Sequence, residues 1–197
     1  LGPGMRPEAH EAGLAWPARA AWGLCAIAFC CLMLEGAVAD WSAIYLAGEA
    51  HLSDAMAAGG YAGFSVAMLT GRFAGDGVVR RFGRRRIVIG GSLMAFVGLG
   101  LSVALPDGPA GIGGFLLVGL GLSNVVPVVF SAAARTGRTA AAGIAAVASC
   151  GYGGFIGGPP VIGAIAGATT LRTALGCLLV VALVSLLAGL RTRWVDA

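Results

Sequence analysis

The sequence contains no lysine and few charged side chains of either sign. Charged residues make up 11% of the 197 residues and hydrophobic residues 58%, whereas soluble domains carry about 25% charged residues. The net charge of +4 comes from arginines that, apart from one short cluster, are dispersed between apolar runs. This dispersion argues against nucleic acid as a partner. The composition predicts an integral membrane protein with the lipid bilayer as its main surroundings.

Histidine is scarce, and cysteine occurs without a metal-binding spacing. The two histidines, His10 and His51, lie in polar segments outside the apolar runs, so no histidine-based metal or catalytic cluster can form within the membrane. The five cysteines lie in apolar segments and show no CxxC or Cys/His spacing. We therefore expect no metal, no cofactor and no enzymatic activity, and we expect the cysteines to pack as small apolar side chains.

Six apolar segments are long enough to cross a bilayer, which takes about 20 helical residues. They are residues 21–46, 56–79, 87–105, 111–133, 142–166 and 172–190. We expect residues 1–20 to form a cytoplasmic linker and residues 191–197 a cytoplasmic tail. The predicted fold class is an all-α integral membrane bundle of six transmembrane helices.

The arginines predict the orientation of this bundle. They precede the first span and follow the second, fourth and sixth, as Arg6, Arg19, Arg80, Arg81, Arg84, Arg85, Arg86, Arg135, Arg138, Arg191 and Arg193. The opposite side carries Glu49, Asp54 and Asp107, with Arg172 as its one candidate positive charge. Because cytoplasmic loops retain arginine during insertion, both termini are predicted to be cytoplasmic.

Two acids lie in the first span. Glu35 falls near or somewhat beyond the midplane at about 1.5 Å per residue, whereas Asp40 falls near the outer surface. Trp41 and Tyr45 are typical of an interfacial aromatic belt, so Asp40 is expected to be hydrated. A carboxyl at the depth of Glu35 is a candidate proton site or a link between helices, and the residues alone leave both open.

Other polar residues occur along the second and fourth spans. Arg72, Asp76 and Arg80 are four residues apart, which predicts a charge ladder on one helical face. Asn124, followed by Pro127, predicts a polar side chain and a backbone break near the bilayer centre, features that accompany binding cavities.

The remaining candidates concern cavity lining and packing. Tyr61 and Tyr152 could line the same cavity as Asn124 or could simply pack. Glycines four residues apart predict close helix contacts; they are Gly59 with Gly63, Gly71 with Gly75, Gly154 with Gly158, and Gly163 with Gly167. The candidate helix-break and packing positions are Pro127, Gly154, Gly158, Pro159 and Pro160.

Several stretches resemble the major facilitator superfamily of transporters. Residues 71–86, GRFAGDGVVRRFGRRR, are similar to a superfamily loop signature with an acid, basic residues, a glycine and two more basic residues. This signature joins the second and third helix of each half of a member. Residues 35–46, EGAVADWSAIYL, and 151–167, GYGGFIGGPPVIGAIAG, resemble a bacterial branch with similarity to fucose permeases.

The resemblance implies the C-terminal six-helix half of a secondary transporter in a bacterial inner membrane. It implies that the chain moves a small solute, with coupling to protons allowed, and that Glu35, Asn124 and Tyr61 face a central cavity. The residues implied in a conformational latch at the cytoplasmic loop are Arg72, Asp76, Arg80, Gly83, Arg84 and Arg85. The GFIGGPPVIG stretch is similar to a motif associated with antiporters.

The resemblance has two departures. The signature has Asp three residues before the glycine, where this chain has Arg80 before Gly83, and Asp76 lies one helical turn earlier. A complete member also has about twelve spans in two halves. Three hypotheses follow: a fragment of a full transporter, a half that works as a dimer or with a partner half, and a non-transporting scaffold or remnant.

Overall fold

The computed structural model describes residues 21–49, 51–192 and 194. The elements of these ranges are seven α-helices: α1 Trp22–Glu49, α2 Asp54–Phe82, α3 Arg84–Ala104, α4 Gly108–Leu122, α5 Val125–Ala133, α6 Ala140–Ala168 and α7 Leu171–Arg191. The predicted linker 1–20, with Arg6 and Arg19, lies outside the described residues, as does most of the predicted tail 191–197, including Arg193.

Within the part of the chain that the structure describes, five helical stretches are long and apolar enough to cross a membrane. They are α1, α3, the stretch Gly108–Ala133 that joins α4 and α5, α6 and α7. α2 has 29 residues, a sufficient length, but it is not among the five. Its second half carries the charged residues Arg72, Asp76 and Arg80. The chain is therefore a multi-pass helical membrane protein, while the sixth span and the orientation stay predictions.

The stretch Gly108–Ala133 is interrupted between α4 and α5. Ser123 and Asn124 lie between the two helices, and Pro127 is the third residue of α5. Proline has no backbone N–H, so it cannot donate to the carbonyl of Ser123 four residues earlier. The helical ladder therefore opens at Ser123, and the Asn124 side chain stands at the break.

The basic cluster is helical rather than a loop, which corrects the predicted link. α2 continues to Phe82, α3 begins at Arg84, and only Gly83 separates them. Gly83 has φ +80°, a conformation that glycine adopts without the steric cost of a side chain. The positive φ lets the chain turn within one residue, so Arg80 ends one helix and Arg84 begins the next.

α1 lies at the centre of the bundle and packs most extensively against α6. A side chain at Gly154 would meet the backbone of Phe29, and one at Gly158 would meet the backbone of Met33, 3.1 Å from its carbonyl oxygen. We call this contact the α1–α6 seam. Its glycines let the two backbones approach closely, as small residues do between helices in lipid.

Not every predicted packing position behaves this way. Gly167 has no neighbouring atom within 4 Å of the place a side chain would begin, so the predicted close contact there is wrong. Pro159 and Pro160 lie inside α6, which continues through both without interruption. Cys177 is exposed on α7, which corrects the expectation that every cysteine packs inside.

Two side chains from other helices bind the last carbonyls of α3. The Tyr45 hydroxyl donates to the carbonyl of Ser102 at 3.2 Å, and Arg172 donates to those of Val103 at 3.0 Å and Ala104 at 3.2 Å. Helix ends leave such carbonyls without intrahelical partners. α1 and α7 therefore hold the end of α3, and the Tyr45 side chain is fully buried.

Candidate functional site

Glu35 and Arg72 form an ion pair between α1 and α2. Arg72 Nη2 lies 3.8 Å from Glu35 Oε1, and the side chains are 50% and 23% exposed. It is the one ion pair within the described ranges, so the predicted ladder from Arg72 through Asp76 to Arg80 does not form as a chain of salt bridges. Arg72 instead pairs with Glu35, the one acid in the central part of α1. Such pairing is favoured because an unpaired charge is costly at membrane depth.

A cavity of about 250 Å³ surrounds this ion pair. We call it the Glu35 cavity; its lining residues are Leu32, Glu35, Arg72, Val126, Phe130, Tyr152 and Phe155. Four helices contribute to it, and Tyr152 is 56% exposed there. The structure thus brings together Glu35 and Tyr152 from the predicted cavity residues and adds Arg72, which the sequence assigned to a latch.

A second cavity, of about 380 Å³, lies between α2 and α5. We call it the Arg80 cavity; its lining residues are Arg72, Gly75, Asp76, Val79, Arg80, Arg84, Asn124, Pro127, Val128 and Ser131. The Asn124 Nδ2 group donates to the carbonyl of Gly71 at 2.8 Å and to Ser123 Oγ at 3.0 Å. Asn124 therefore ties the helix break to α2 and does not line the Glu35 cavity. Arg72 lines both cavities.

A third cavity, of about 500 Å³, lies beside Trp41. Its lining includes Asp40 and the prolines Pro159 and Pro160, and the Trp41 indole N–H donates to the Pro159 carbonyl at 3.1 Å. Trp41 therefore lies near one end of the bundle and is hydrogen-bonded to α6.

Three predicted residues lie away from these cavities. Tyr61 stacks on Phe64 of its own helix with ring centroids 6.3 Å apart. Gly83 forms the turn between α2 and α3, and Arg85 lies in the first turn of α3. Within residues 21–49, 51–192 and 194, no group of three or more His, Cys, Asp or Glu side chains is placed to hold a metal ion.

Sequence reasoning missed the partnership of Glu35 with Arg72, because its signal depends on helix bounds that only the structure gives. From the predicted spans 21–46 and 56–79, the two residues differ by about 10 Å in depth. Glu35 lies 13 residues after the start of α1, and Arg72 lies 10 residues before the end of α2. At about 1.5 Å per residue, these offsets place the two side chains within about 5 Å in depth on antiparallel helices. The aromatic lining, Phe130 and Phe155, gave no comparable signal, because apolar residues occupy every face of these helices.

A bundle of long apolar helices packed around a charge pair is the architecture of a polytopic membrane protein. No family model matches the chain. It is 39% identical over 155 residues to an uncharacterized MFS-type transporter of Yersinia pestis, covering 77% of this chain and 40% of that protein. It is 34% identical over 150 residues to the membrane protein MosC of Rhizobium meliloti, covering 76% and 37%.

Solved structures agree in fold. The chain superposes with a TM-score of 0.78 on FucP, a major facilitator superfamily transporter in the outward conformation, at 20% identity over 89% of this chain and 43% of that one. The POT family transporter PepTSo gives 0.77 at 16% identity, over 93% and 39%. The chain belongs to the major facilitator superfamily. It spans about two fifths of the length of these relatives.

Proposed function

We propose that the chain forms the C-terminal six-helix half of a secondary transporter that moves a small solute across a bacterial inner membrane by alternating access. The names of its relatives support transport, among them an uncharacterized transporter of Sinorhizobium fredii at 35% identity over 166 residues, 84% of this chain and 44% of that protein. In this proposal α2 is the sixth span. Its turn into α3 is cytoplasmic, since Arg80, Arg81 and Arg84 to Arg86 adjoin it.

The Glu35–Arg72 ion pair carries the proposal. It joins two helices inside a cavity that is open on one side of the bundle, and both side chains keep some exposure. Large apolar side chains on two of the helices that line this cavity are also exposed, Phe73 of α2 by 85% and Ile156 of α6 by 72%. A second six-helix bundle placed over this side would enclose the charge pair at the centre of the membrane, where superfamily members bind solutes.

Glu35 is the proposed proton site. Protonation of its carboxylate would remove the charge that holds Arg72, and so would couple proton uptake to a change between α1 and α2. Arg72 faces it from α2 and Tyr152 from α6, while α5 and α6 contain no charged residue. FucP, which shares the fold, is described as a fucose:proton symporter of E. coli.

The arginine turn is the proposed latch. Asp76 and Arg80 line a cavity with Arg84 across the one-residue turn at Gly83. Contacts of these groups with the second bundle would have to be stronger in one transport state than in the other to bias the equilibrium. Arg85, in the first turn of α3, would extend the same surface.

A transport assay tests the proposal. The complete gene product is reconstituted in proteoliposomes, and a solute screen measures uptake with and without an imposed pH gradient. Glu35→Gln should abolish the pH dependence of uptake, whereas Glu49→Gln, the matched change at the end of the same helix, should retain it. Unchanged pH dependence in Glu35→Gln would refute the proton site, and an absence of uptake by the unaltered protein would favour a scaffold or remnant.

The source of the second bundle is a separate question. Additional sequence on the same polypeptide and a second copy of this chain both provide one. Crosslinking in native membranes, followed by denaturing electrophoresis, distinguishes them, because a second copy gives a crosslinked band at twice the mass of the single chain.

A further inference from the structure

Arg72 has hydrogen-bonding capacity that the protein leaves unused. A guanidinium carries five N–H donors, and charge-assisted bonds to carboxylates are about 2.7 to 2.9 Å long. The contact of Arg72 with Glu35 is 3.8 Å, and no hydrogen bond from Arg72 is found among the described residues. Half of the side chain is exposed. A second acceptor can therefore reach it without displacing any tight bond.

Arg172 of the same chain, by comparison, has a structural role. Its Nε and Nη2 groups donate to two backbone carbonyls at 3.0 and 3.2 Å. Arg72, by contrast, faces a cavity on each side and has one long contact. The difference indicates that Arg72 is placed to receive a ligand.

The charge around Arg72 favours a negative ligand. The Arg80 cavity, which adjoins the Glu35 cavity at Arg72, is lined by Arg72, Arg80 and Arg84 against the single acid Asp76. A cavity lined by an excess of one charge, with apolar walls, raises the local concentration of the opposite ion. The path past Arg72 is therefore attractive to anions.

Glu35 defines the geometry that the ligand would copy. Its carboxylate is the group that now faces the guanidinium, and a carboxylate or phosphate can accept from a guanidinium through two parallel bonds. We infer that the solute carried through the Glu35 cavity is a small organic anion, bearing a carboxylate or phosphate, that exchanges with Glu35 for the guanidinium of Arg72. This inference rests on the proposed transport function and names its substrate class.

Binding to the purified complete protein tests the inference without any gradient. Thermal unfolding is followed at constant ionic strength with three matched pairs of probes: glucuronate and glucose, succinate and succinamide, and glycerol 3-phosphate and glycerol. We expect at least one anion to raise the unfolding temperature in a saturable way while its neutral counterpart does not. Stabilisation by no anion, or equal stabilisation by the neutral probes, would overturn the inference.

Variants locate the effect at Arg72. Arg72→Gln should raise the half-saturating anion concentration about tenfold or more, and Arg72→Lys should raise it less, because lysine keeps the charge but loses the planar fork. Glu35→Gln should lower it, since the competing carboxylate is gone. Arg138→Gln, an exposed arginine between α5 and α6 that lines none of the three cavities, is the matched control and should leave it unchanged. An anion affinity that survives Arg72→Gln would contradict the inference.

Two further arms separate this result from other outcomes. Anionic lipid offers the same phosphate chemistry, so phosphatidylglycerol is added to the detergent micelles. Stabilisation by this lipid with no effect of any soluble anion would mean that a lipid headgroup binds at Arg72, and it would overturn the inference. Uptake of a neutral solute by proteoliposomes would also overturn it and leave the transport function standing, whereas Arg72-dependent anion binding without uptake would contradict transport alone.

Discussion

The two sides of α1 are built in opposite ways. Along the α1–α6 seam, Gly154 and Gly158 let two backbones touch, with no room for a further side chain. On the side of the Glu35 cavity, a charge pair is held at 3.8 Å beside open space. Close packing against α6 therefore holds α1 in place, while the charge of Glu35 stays accessible from the cavity. Substitutions in the seam should change stability, and substitutions of the charge pair should change ligand binding.

Adding one methyl group within the α1–α6 seam should give the largest loss of stability. Gly154→Ala places a Cβ against the backbone carbonyl of Phe29, and a backbone atom cannot move aside as a side-chain end can. We expect destabilisation of about 1 to 3 kcal/mol, the usual cost of overpacking. The measurement is the thermal unfolding of the purified protein in detergent.

The matched control for the seam is Gly176→Ala in α7. The Cβ at Gly176 would meet nothing within 4 Å, and alanine is favoured over glycine in a helix by up to about 1 kcal/mol. Gly176→Ala should therefore be neutral or slightly stabilising. If both alanine variants lose stability equally, helix flexibility rather than the seam explains the effect at Gly154.

A smaller loss is expected at the end of α3, which lies outside both regions of the comparison. Arg172→Gln removes donors from the carbonyls of Val103 and Ala104. Because the site is exposed to solvent or headgroups, we expect about 1 kcal/mol rather than the larger values of buried charged bonds. Arg172→Lys should recover only part of this, and full recovery would show that charge, not the two bonds, is what matters.

The smallest effect on stability is expected from a substitution in the Glu35 cavity. Arg72→Gln breaks a long, half-exposed ion pair, and pairs of this kind contribute about 0 to 1 kcal/mol. The unfolding temperature should fall by less than it does in Gly154→Ala, even though the same substitution should weaken anion binding about tenfold or more. A loss as large as that at Gly154 would mean that the ion pair holds the bundle together and would remove the distinction between the two sides of α1.

Much of the fold could be predicted from the sequence because lipid imposes simple rules. Runs of about 20 apolar residues must be helical, and the described helices occupy all six predicted segments. The prediction failed where local geometry decides. Gly83 turns the chain within a single residue, so the arginines expected in a loop are helical. Pro159 and Pro160 remain inside α6, where the packing of α1 on α6 holds the helix together.

The candidate site was harder to predict, because it depends on which helices are neighbours. Glu35 and Tyr152 were identified as candidates by residue type and depth, and they share a cavity. Spacing along α2 favoured Arg72 with Asp76, yet the contact that forms lies between helices. Asn124 was assigned to the central cavity, but its amide is occupied by the carbonyl of Gly71. The partner of a side chain that links two helices cannot be predicted from the spacing of residues within one helix.

The polarity of α2 has a consequence for biosynthesis. Among the described residues, five helical stretches are long and apolar enough to cross a membrane, and α2 is not one of them. In the proposed arrangement, where α2 is the sixth span, Arg72 at membrane depth would cost about 2.5 to 3.5 kcal/mol on the insertion scale. Arg72 pairs with Glu35 on α1, and α2 packs against the glycine-rich α4. We expect α2 to remain at the translocon until those neighbours are present. The Glu35–Arg72 ion pair would then also serve as an assembly contact during synthesis.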